Sequence, residues 1–230
     1  MHEFFVIGHR GAAGEKLENS LSGFKHALTL DIDAIELDVR QHSGELWVIH
    51  DNDLQRLTGS SGNFEDSDDP AQLRLLNGEP IPKLSEVLDL YWARMPINIE
   101  IKSLDTAALL LELLDQYPAI DKQSIFPWIL ISSFDHQQMA DLRKLTDRWQ
   151  LAPIITGIPI NCDQLIDEIR PYSIHFDIDY IDPTVITQIK DRDVRVMVFT
   201  VNNVAQVTIL KNAGVTGIFT DFPSQLLDIK

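Results

Sequence analysis

Two acidic side chains alternate with apolar ones in the segment Ile35–Val39. Glu36 and Asp38 are separated by one residue, so in a β-strand they share one face and the apolar residues take the other. Carboxylates on the covered face of a strand are desolvated charges, which are stable only when they are paired or bound to a cation. On its own, the pattern fits an edge strand with a solvated polar face equally well.

The same alternation returns in the segment Pro96–Lys102. Asn98, Glu100 and Lys102 alternate there with three isoleucines, and the charges lie towards the C-terminal end of the run. In a parallel barrel, the active site lies at that end of the strands. Three carboxylates from two strands are hard oxygen donors, which suit Mg²⁺ or Ca²⁺ better than zinc. We therefore predict a metal site built from Glu36, Asp38 and Glu100.

Two histidines and two cations accompany the carboxylates. His9 and His50 each end a short apolar run, where a lone histidine is usually structural but a pair beside carboxylates can act as general acid and general base. Arg10 and Lys102 supply positive charge, and an arginine can bind two phosphate oxygens at once. Together these groups predict a site for phosphate-ester chemistry.

The overall charge restricts the partners. The chain has 19 Lys and Arg against 35 Asp and Glu, which gives a formal net charge of −16. A field of that sign repels nucleic acid and anionic lipid surfaces, so we expect no nucleic-acid partner. An anionic substrate then needs a local cluster of cations or a bound metal.

The elements that position these residues alternate between short apolar runs and helical periodicity. We predict strands over Phe4–Gly8, Ala34–Val39, Glu45–Ile49, Ile97–Ile101, Ile129–Ser132, Ala152–Thr156, Ile174–Ile178, Val194–Thr200 and Gly217–Thr220. Helical patterns follow a cap at Asn19 or Ser20 and precede a stop at Gly214. This order indicates a (β/α)8 TIM barrel over residues 1–230 as a single domain. A doubly wound sheet is the alternative, but His9-Arg10-Gly11 stands where its glycine-rich phosphate loop would be.

Residues 51–83 interrupt this alternation. The segment is polar and rich in turn formers, too long for a plain connection and unsuited to a strand. We predict an insertion on the C-terminal rim of the barrel, beside the active site. Its acidic run, residues 65–69, is typical of a solvated loop.

The remaining signals concern location. The chain has one cysteine, Cys162, so no internal disulfide is possible, and we expect that residue to be buried. The apolar run Phe4–Ile7 is too short for a signal sequence, and no run reaches the length of a membrane span. We therefore predict a cytoplasmic protein without membrane insertion. The sequence carries no signal for an oligomeric state.

An ordered set of short motifs resembles the glycerophosphodiester phosphodiesterase family, in its cytosolic bacterial form. The motifs are His9-Arg10-Gly11, Glu18-Asn19-Ser20, Glu36-Leu37-Asp38-Val39, His50-Asp51, Asn98-Ile99-Glu100-Ile101-Lys102, Ser132-Ser133-Phe134, Thr200-Val201-Asn202 and Gly217 through Pro223. The segment from Asp51 to Leu84 also resembles the insertion of that family. The resemblance covers nearly the whole chain.

The resemblance implies hydrolysis of glycerophosphodiesters, such as glycerophosphocholine or glycerophosphoethanolamine, to sn-glycerol 3-phosphate and an alcohol. It implies one divalent cation (Mg²⁺ or Ca²⁺, with Mn²⁺ also suitable), and a role in glycerol and lipid metabolism. His9 and His50 would be catalytic, the metal would bind Glu36, Asp38 and Glu100, and Arg10 and Lys102 would contact the phosphate.

Three positions depart from the family pattern. Leu17 replaces a proline and Ser20 a threonine at a helix start, which affects the cap alone. Phe199 replaces a frequent tryptophan, and we expect it to contact substrate and to influence the choice of head group. We expect Asn19 and Asp221 to support the site from behind. Glu18 fits this role and fits equally well a role at the N-terminus of the following helix.

The sequence does not settle the roles of two further residues, and it allows three alternative functions. His175 and Asp177 form the rival acidic cluster with Ser173 and Asp179, and we expect them to line the barrel or its rim. The alternative functions are a metal-dependent lyase or aldolase, a phospholipase acting on intact lipid, and a catalytically inactive phosphate sensor. The mechanism of a lyase or aldolase does not require two histidines beside Arg10. A phospholipase would need a membrane anchor, for which the sequence carries no signal.

Overall fold

Nine strands form one sheet in the computed structural model, which describes residues 4–227. They are β1 Phe5–Gly8, β2 Ala34–His42, β3 Glu45–Val48, β4 Ile97–Ile101, β5 Ile129–Ser133, β6 Gln150–Ile155, β7 Ser173–Asp177, β8 Arg195–Phe199 and β9 Gly217–Thr220. All strands except β3 run parallel, and β1 pairs with both β2 and β9, which closes the sheet. The protein is a TIM barrel, as predicted, and the doubly wound alternative is wrong.

Helices alternate with most of the barrel strands, and the two predicted helix signals are confirmed. The helices are α1 Leu21–Ala27, α2 Gln55–Thr58, α3 Leu84–Tyr91, α4 Thr106–Leu114, α5 His136–Leu145, α6 Asp163–Ile169, α7 Pro183–Lys190 and α8 Val204–Ala213. The Ser20 side chain caps α1 by accepting a hydrogen bond of 3.0 Å from the Gly23 amide. Gly214 ends α8 with a φ of 93°, a left-handed conformation that favours glycine.

Each barrel strand separates two environments, as its alternating side chains require. In β2, Ile35, Leu37 and Val39 belong to the large apolar cluster between the sheet and the helices. A smaller cluster fills the inside of the barrel and includes Phe5, Ile7, Ala34, Leu130, Ala152, Met197 and Phe219. Glu36 and Asp38 follow Ala34 on the inner face, so the interior changes from apolar to charged towards the C-terminal ends of the strands.

The third strand differs from the expected alternation of strand and helix. No helix separates β2 from β3. Instead β2 extends three residues beyond the predicted Val39, and β3 returns antiparallel to it, with Val39 opposite Val48. The turn between them uses Ser43 and Gly44, both at positive φ. Because β3 runs back towards the barrel, its end places His50 beside β2, where the Ile49 amide donates to the Asp38 carbonyl at 3.0 Å.

Residues 51–83 have an apolar cluster of their own. Leu54, Leu57, Phe64, Leu75 and Ile81 pack there with Trp47 and Ile49 of the β2–β3 hairpin. The segment contains α2 and a short 3₁₀ helix at residues 70–72. Burying side chains of this size contributes about 1.5–3 kcal/mol each. The segment is therefore held by packing against the hairpin as well as by polar contacts.

No helix within residues 4–227 combines the length and the apolar character that a membrane crossing requires.

Candidate active site

The strand register brings the predicted residues together at one end of the barrel. In the pairing of β2 with β4, Glu36 lies opposite Asn98, and Asp38 lies opposite Glu100. His9 and Arg10 follow β1 directly, and the hairpin returns His50 to the same rim. Main-chain geometry alone therefore gathers groups that are up to 93 positions apart in the sequence, from His9 to Lys102.

Three buried carboxylates form the centre of the site. Glu36, Asp38 and Glu100 each place a carboxylate oxygen within 4.8 Å of the others. Burial and the neighbouring Asp38 raise the pKa of Glu100 to about 7, and the same two causes hold the pKa of Glu36 well above its usual range. The buried Oε1 of Glu36 has no hydrogen-bond partner among the described residues. Burying a carboxylate charge destabilises the folded protein by several kcal/mol unless a cation binds it. The triad could therefore hold a metal ion.

Asp38 has its negative charge stabilised by two cations. Lys102 Nζ lies 3.4 Å from Asp38 Oδ1 and also contacts Glu100, while Arg10 Nε lies 3.3 Å from Asp38 Oδ2. Burial would raise the pKa of Asp38, but the two cations lower it overall. Asn19 adds a hydrogen bond of 2.9 Å from its Nδ2 to Asp38 Oδ2. Asn19 thus contacts a candidate metal ligand from behind.

His9 is oriented by a partner at the other end of the chain. Its Nδ1 lies 2.7 Å from Asp221 Oδ1, and its Nε2 lies 3.9 Å from Glu36 Oε2. Asp221 in turn accepts a 2.7 Å hydrogen bond from Asn202 Nδ2. The contact with Asp221 therefore fixes the orientation of the His9 ring, so that its Nε2 faces the carboxylates.

His50 has a similar partner on its own loop. Its Nδ1 lies 2.6 Å from Asp51 Oδ1. Burial lowers the pKa of His50, an effect that Asp38 opposes and Lys102 reinforces. The ring is therefore biased towards its neutral form, which can accept a proton.

A chain of ion pairs joins the two histidine loops. Arg10 Nη1 donates to Glu18 at 2.6 Å, and Glu18 accepts two hydrogen bonds from Arg56, at 2.6 and 2.8 Å. Arg56 Nε donates to Asp51 at 2.6 Å, and Asp51 contacts His50. The hydrogen bond from Arg56 is the main cause that lowers the pKa of Asp51 to about 2. Glu18 therefore contacts both arginines of this chain of ion pairs. The N-terminus of α1 is bound instead by Ser20 and by Glu79, whose Oε2 accepts from the Ser22 amide at 3.0 Å.

The turn after β1 depends on a glycine. A Cβ at Gly8 would lie 2.0 Å from the carbonyl oxygen of Gly11, so a larger residue cannot be placed there without moving the main chain. Arg10 takes a φ of 49° in this turn, and its amide donates to Glu36 Oε2 at 2.9 Å. The tight turn thus points both His9 and Arg10 back over the carboxylates.

A small cavity of about 20 Å³ extends from the carboxylates towards β8 and β9. It is lined by His9, Glu36, Asn98, Glu100, Ile154, His175, Phe199 and Phe219. His175 is fully buried on β7, and burial lowers its pKa to about 3, so it is neutral. Asp177 ends β7 and accepts a 2.9 Å hydrogen bond from the Asp179 amide, which lies beyond the strand in a 3₁₀ helix. The predicted four-residue face therefore ends at Asp177.

The structure connects to the site three polar residues for which the sequence predicted no role. Asp51 and Arg56 complete the chain of ion pairs, and Asn202 holds Asp221 through both its amide and carbonyl groups. The adjacency of Asp51 to His50 is a usable signal. Asn202 belongs to the motif Thr200-Val201-Asn202, which is a second signal, whereas nothing local in the sequence indicates that Arg56 reaches the site.

The arrangement offers a cation site, two further positive groups and two proton carriers on one surface. These are the requirements for hydrolysing a phosphate ester: charge stabilisation on the phosphoryl oxygens, a base for the nucleophile and an acid for the leaving alcohol.

Comparisons with known proteins agree with this chemistry. Residues 9–225 match the glycerophosphoryl diester phosphodiesterase family. A glycerophosphodiester phosphodiesterase of Bacillus altitudinis is 31% identical over 98% of this chain and 97% of its own, and one of Caldanaerobacter subterraneus is 30% identical over 97% and 96%. An Oleispira antarctica phosphodiesterase, solved with its product sn-glycerol-3-phosphate, superposes with a TM-score of 0.89 at 24% identity over 97% of this chain and 95% of that one. The chain belongs to the glycerophosphoryl diester phosphodiesterase family and is a phosphodiesterase.

Proposed function

We propose that the protein hydrolyses glycerophosphodiesters with polar head groups, such as glycerophosphocholine and glycerophosphoethanolamine, and that it depends on one divalent cation. The products are sn-glycerol 3-phosphate and the free alcohol. The observation that carries this proposal is the meeting of three buried carboxylates, two cations and two histidines on one rim of the barrel. We further propose a cytoplasmic location, consistent with a single buried cysteine.

Glu36, Asp38 and Glu100 would hold the cation. Their donor atoms are all carboxylate oxygens, which suits Mg²⁺, Mn²⁺ or Ca²⁺. The unpartnered Oε1 of Glu36 supports this assignment, because a buried carboxylate oxygen needs a partner. When bound, the cation would polarise the phosphoryl group as a Lewis acid.

The two histidines would divide the proton transfers. His50, which burial keeps neutral, would accept the proton of the nucleophile. His9 would protonate the leaving alcohol, with Asp221 at its Nδ1 holding the ring in place. The nucleophile is either water or the neighbouring glycerol hydroxyl.

Arg10 and Lys102 would neutralise the phosphate. Both side chains lie beside Asp38, so their positive charge is concentrated where the substrate anion must enter an acidic protein. Phe199 would contact the substrate from the wall of the cavity.

A coupled assay for released glycerol 3-phosphate tests the proposal. We expect turnover with a divalent cation and none with EDTA, and His9→Ala, His50→Ala and Glu100→Ala should each remove most activity. Glu112→Ala, an exposed change on α4, is the control and should leave turnover unchanged. Absence of turnover with a panel of glycerophosphodiesters and with Mg²⁺, Mn²⁺ and Ca²⁺ would favour a phosphate sensor.

The assignment of acid and base has its own test. In a glycerol phosphodiester of p-nitrophenol, the leaving group is p-nitrophenolate, which departs without protonation. This substrate should therefore restore much of the rate that His9→Ala loses but not the rate that His50→Ala loses. Rescue of His50→Ala instead would reverse the two roles.

A further inference from the structure

The main chain at His50 is bound by a side chain of the neighbouring strand. His50 lies two residues beyond the end of β3, and its carbonyl oxygen accepts a hydrogen bond of 3.0 Å from Arg40 Nε. Arg40 follows Asp38 on the same face of β2, and its side chain is 13% exposed. A carbonyl group past the end of a strand needs a partner outside the ladder. Arg40 supplies that partner at the residue that carries the proposed base.

Arg40 is itself held by the segment 51–83. Its Nη1 donates to Glu65 Oε1 at 3.0 Å, and Asn52 Nδ2 donates to the other carboxylate oxygen of Glu65 at 3.3 Å. The Glu65 amide in turn donates to Asn52 Oδ1 at 3.0 Å. Because Asn52 is two residues from His50, these contacts form a closed circuit that returns to the loop where it began. We call Arg40, Asn52 and Glu65 the Arg40 network.

The loop that carries Glu65 is attached to the same strand. His42 Nε2 lies 2.8 Å from the carbonyl oxygen of Ser67, and the His42 ring meets the buried Phe64 edge to face, with centroids 5.7 Å apart. The sequence indicates a solvated loop for residues 65–69, and the side chain of Glu65 is 45% exposed. Its position is nevertheless fixed by contacts on either side of it. Glu65 is therefore a fixed partner for Arg40.

The two contacts of Arg40 suit an arginine. Its planar guanidinium directs Nε and Nη1 to two acceptors at once, whereas the single nitrogen of a lysine cannot take both positions. An ion pair with an exposed partner adds little to the stability of a protein, so the Arg40 network acts mainly on the position of His50. A displacement of about 1 Å at a reacting group can lower a rate about 100-fold.

We propose that Arg40 and Glu65 are positioning residues for the proton transfer at His50. They fix the main chain that carries the imidazole, while Asp51 orients its ring. This inference rests on the proposed function, in which His50 accepts the proton of the nucleophile. Arg40→Lys keeps the positive charge near the substrate and loses the paired contacts, so it should lower kcat about tenfold and leave KM unchanged.

Glu65→Ala tests the other end of the network. It should lower kcat at least about threefold, again without a change in KM, because Arg40 loses its fixed partner. Asp68→Ala removes an exposed charge from the same acidic run and is the matched control, with kcat unchanged. Urea midpoints show that each variant is folded. Glu65→Ala changes an exposed side chain, so it provides the same test if Arg40→Lys is unstable.

A double variant separates positioning of His50 from any other role. In the His50→Ala background, Arg40→Lys should cause no further loss of kcat for glycerophosphocholine, because the group that it positions is absent. A merely structural role would lower the residual kcat by the same factor in both backgrounds. That result, or an unchanged kcat in both Arg40→Lys and Glu65→Ala, overturns this inference but not the proposed function. Full activity of His50→Ala alone overturns the proposed role of His50 and this inference with it.

Discussion

Removing one buried charge should stabilise the metal-free protein. Burial raises the pKa of Glu100 from its ordinary 4.5 to about 7, so the folded state binds a proton that the unfolded chain releases. Stability therefore falls as the pH rises from about 4.5 to 7, and the difference corresponds to about 3 kcal/mol at 1.36 kcal/mol per pH unit. Glu100→Gln cannot ionise. Without metal, it should be more stable than the wild type by up to about 3 kcal/mol above pH 7, and similar to it at pH 4.5.

A divalent cation should reverse this order. Binding at 100 times the dissociation constant stabilises a folded protein by about 2.7 kcal/mol, and the variant lacks one of the three proposed ligands. Urea unfolding at pH 5 and pH 8, each with EDTA and with Mg²⁺, measures all four states. Glu112→Gln, on the exposed face of α4, removes a charge without burial and should follow the wild type throughout.

Two results would refute this reasoning. If Glu100→Gln is less stable than the wild type at pH 8 in EDTA, the contact of Glu100 with Lys102 outweighs its desolvation. If Mg²⁺, Mn²⁺ and Ca²⁺ all stabilise the variant as much as the wild type, Glu100 is not a metal ligand.

Three further changes test other parts of the site. Asp221→Asn should lower kcat by about 100-fold or more with little effect on KM, since it disturbs the tautomer of His9; steady-state kinetics that show a change in KM alone would contradict this. Arg56→Met should lower kcat about tenfold because it removes the hydrogen bond to Asp51. Arg74 donates to main-chain carbonyls within residues 51–83, so Arg74→Met is the control and should leave kcat unchanged. Equal losses of kcat in the two variants would show a general effect on residues 51–83. Gly8→Ala should destabilise the protein by about 2 kcal/mol or more because its Cβ meets a carbonyl oxygen, and an unchanged urea midpoint would disprove the close approach.

The parts of the fold that depend on local pattern could be predicted from the sequence. The alternation of apolar and charged residues in β2 and β4 identified which side chains face inwards. Both faces of a barrel strand are covered, so a shift of one residue would turn the apolar side chains inwards and the charged ones towards the helices. The helix signals at Ser20 and Gly214 also gave the correct ends.

What the sequence did not show depends on contacts between distant residues. The β2–β3 hairpin was missed because a short apolar run has the same pattern in a parallel and an antiparallel strand. Arg56 was missed because its partners, Glu18 and Asp51, become neighbours only when residues 51–83 pack on the hairpin.

The antiparallel hairpin leaves the protein free to vary in length near its catalytic centre. His50 is positioned by the pairing of Val48 with Val39 and by the bond from Ile49 to Asp38, both at the base of the hairpin. If one residue is added to or removed from each strand at the Ser43–Gly44 end, the pairing of Val39 with Val48 is unchanged, because the strand register at the base does not depend on the length of the tip. The hairpin tip is therefore a place where a loop, a tag or a binding module could be grafted while the reacting groups keep their geometry.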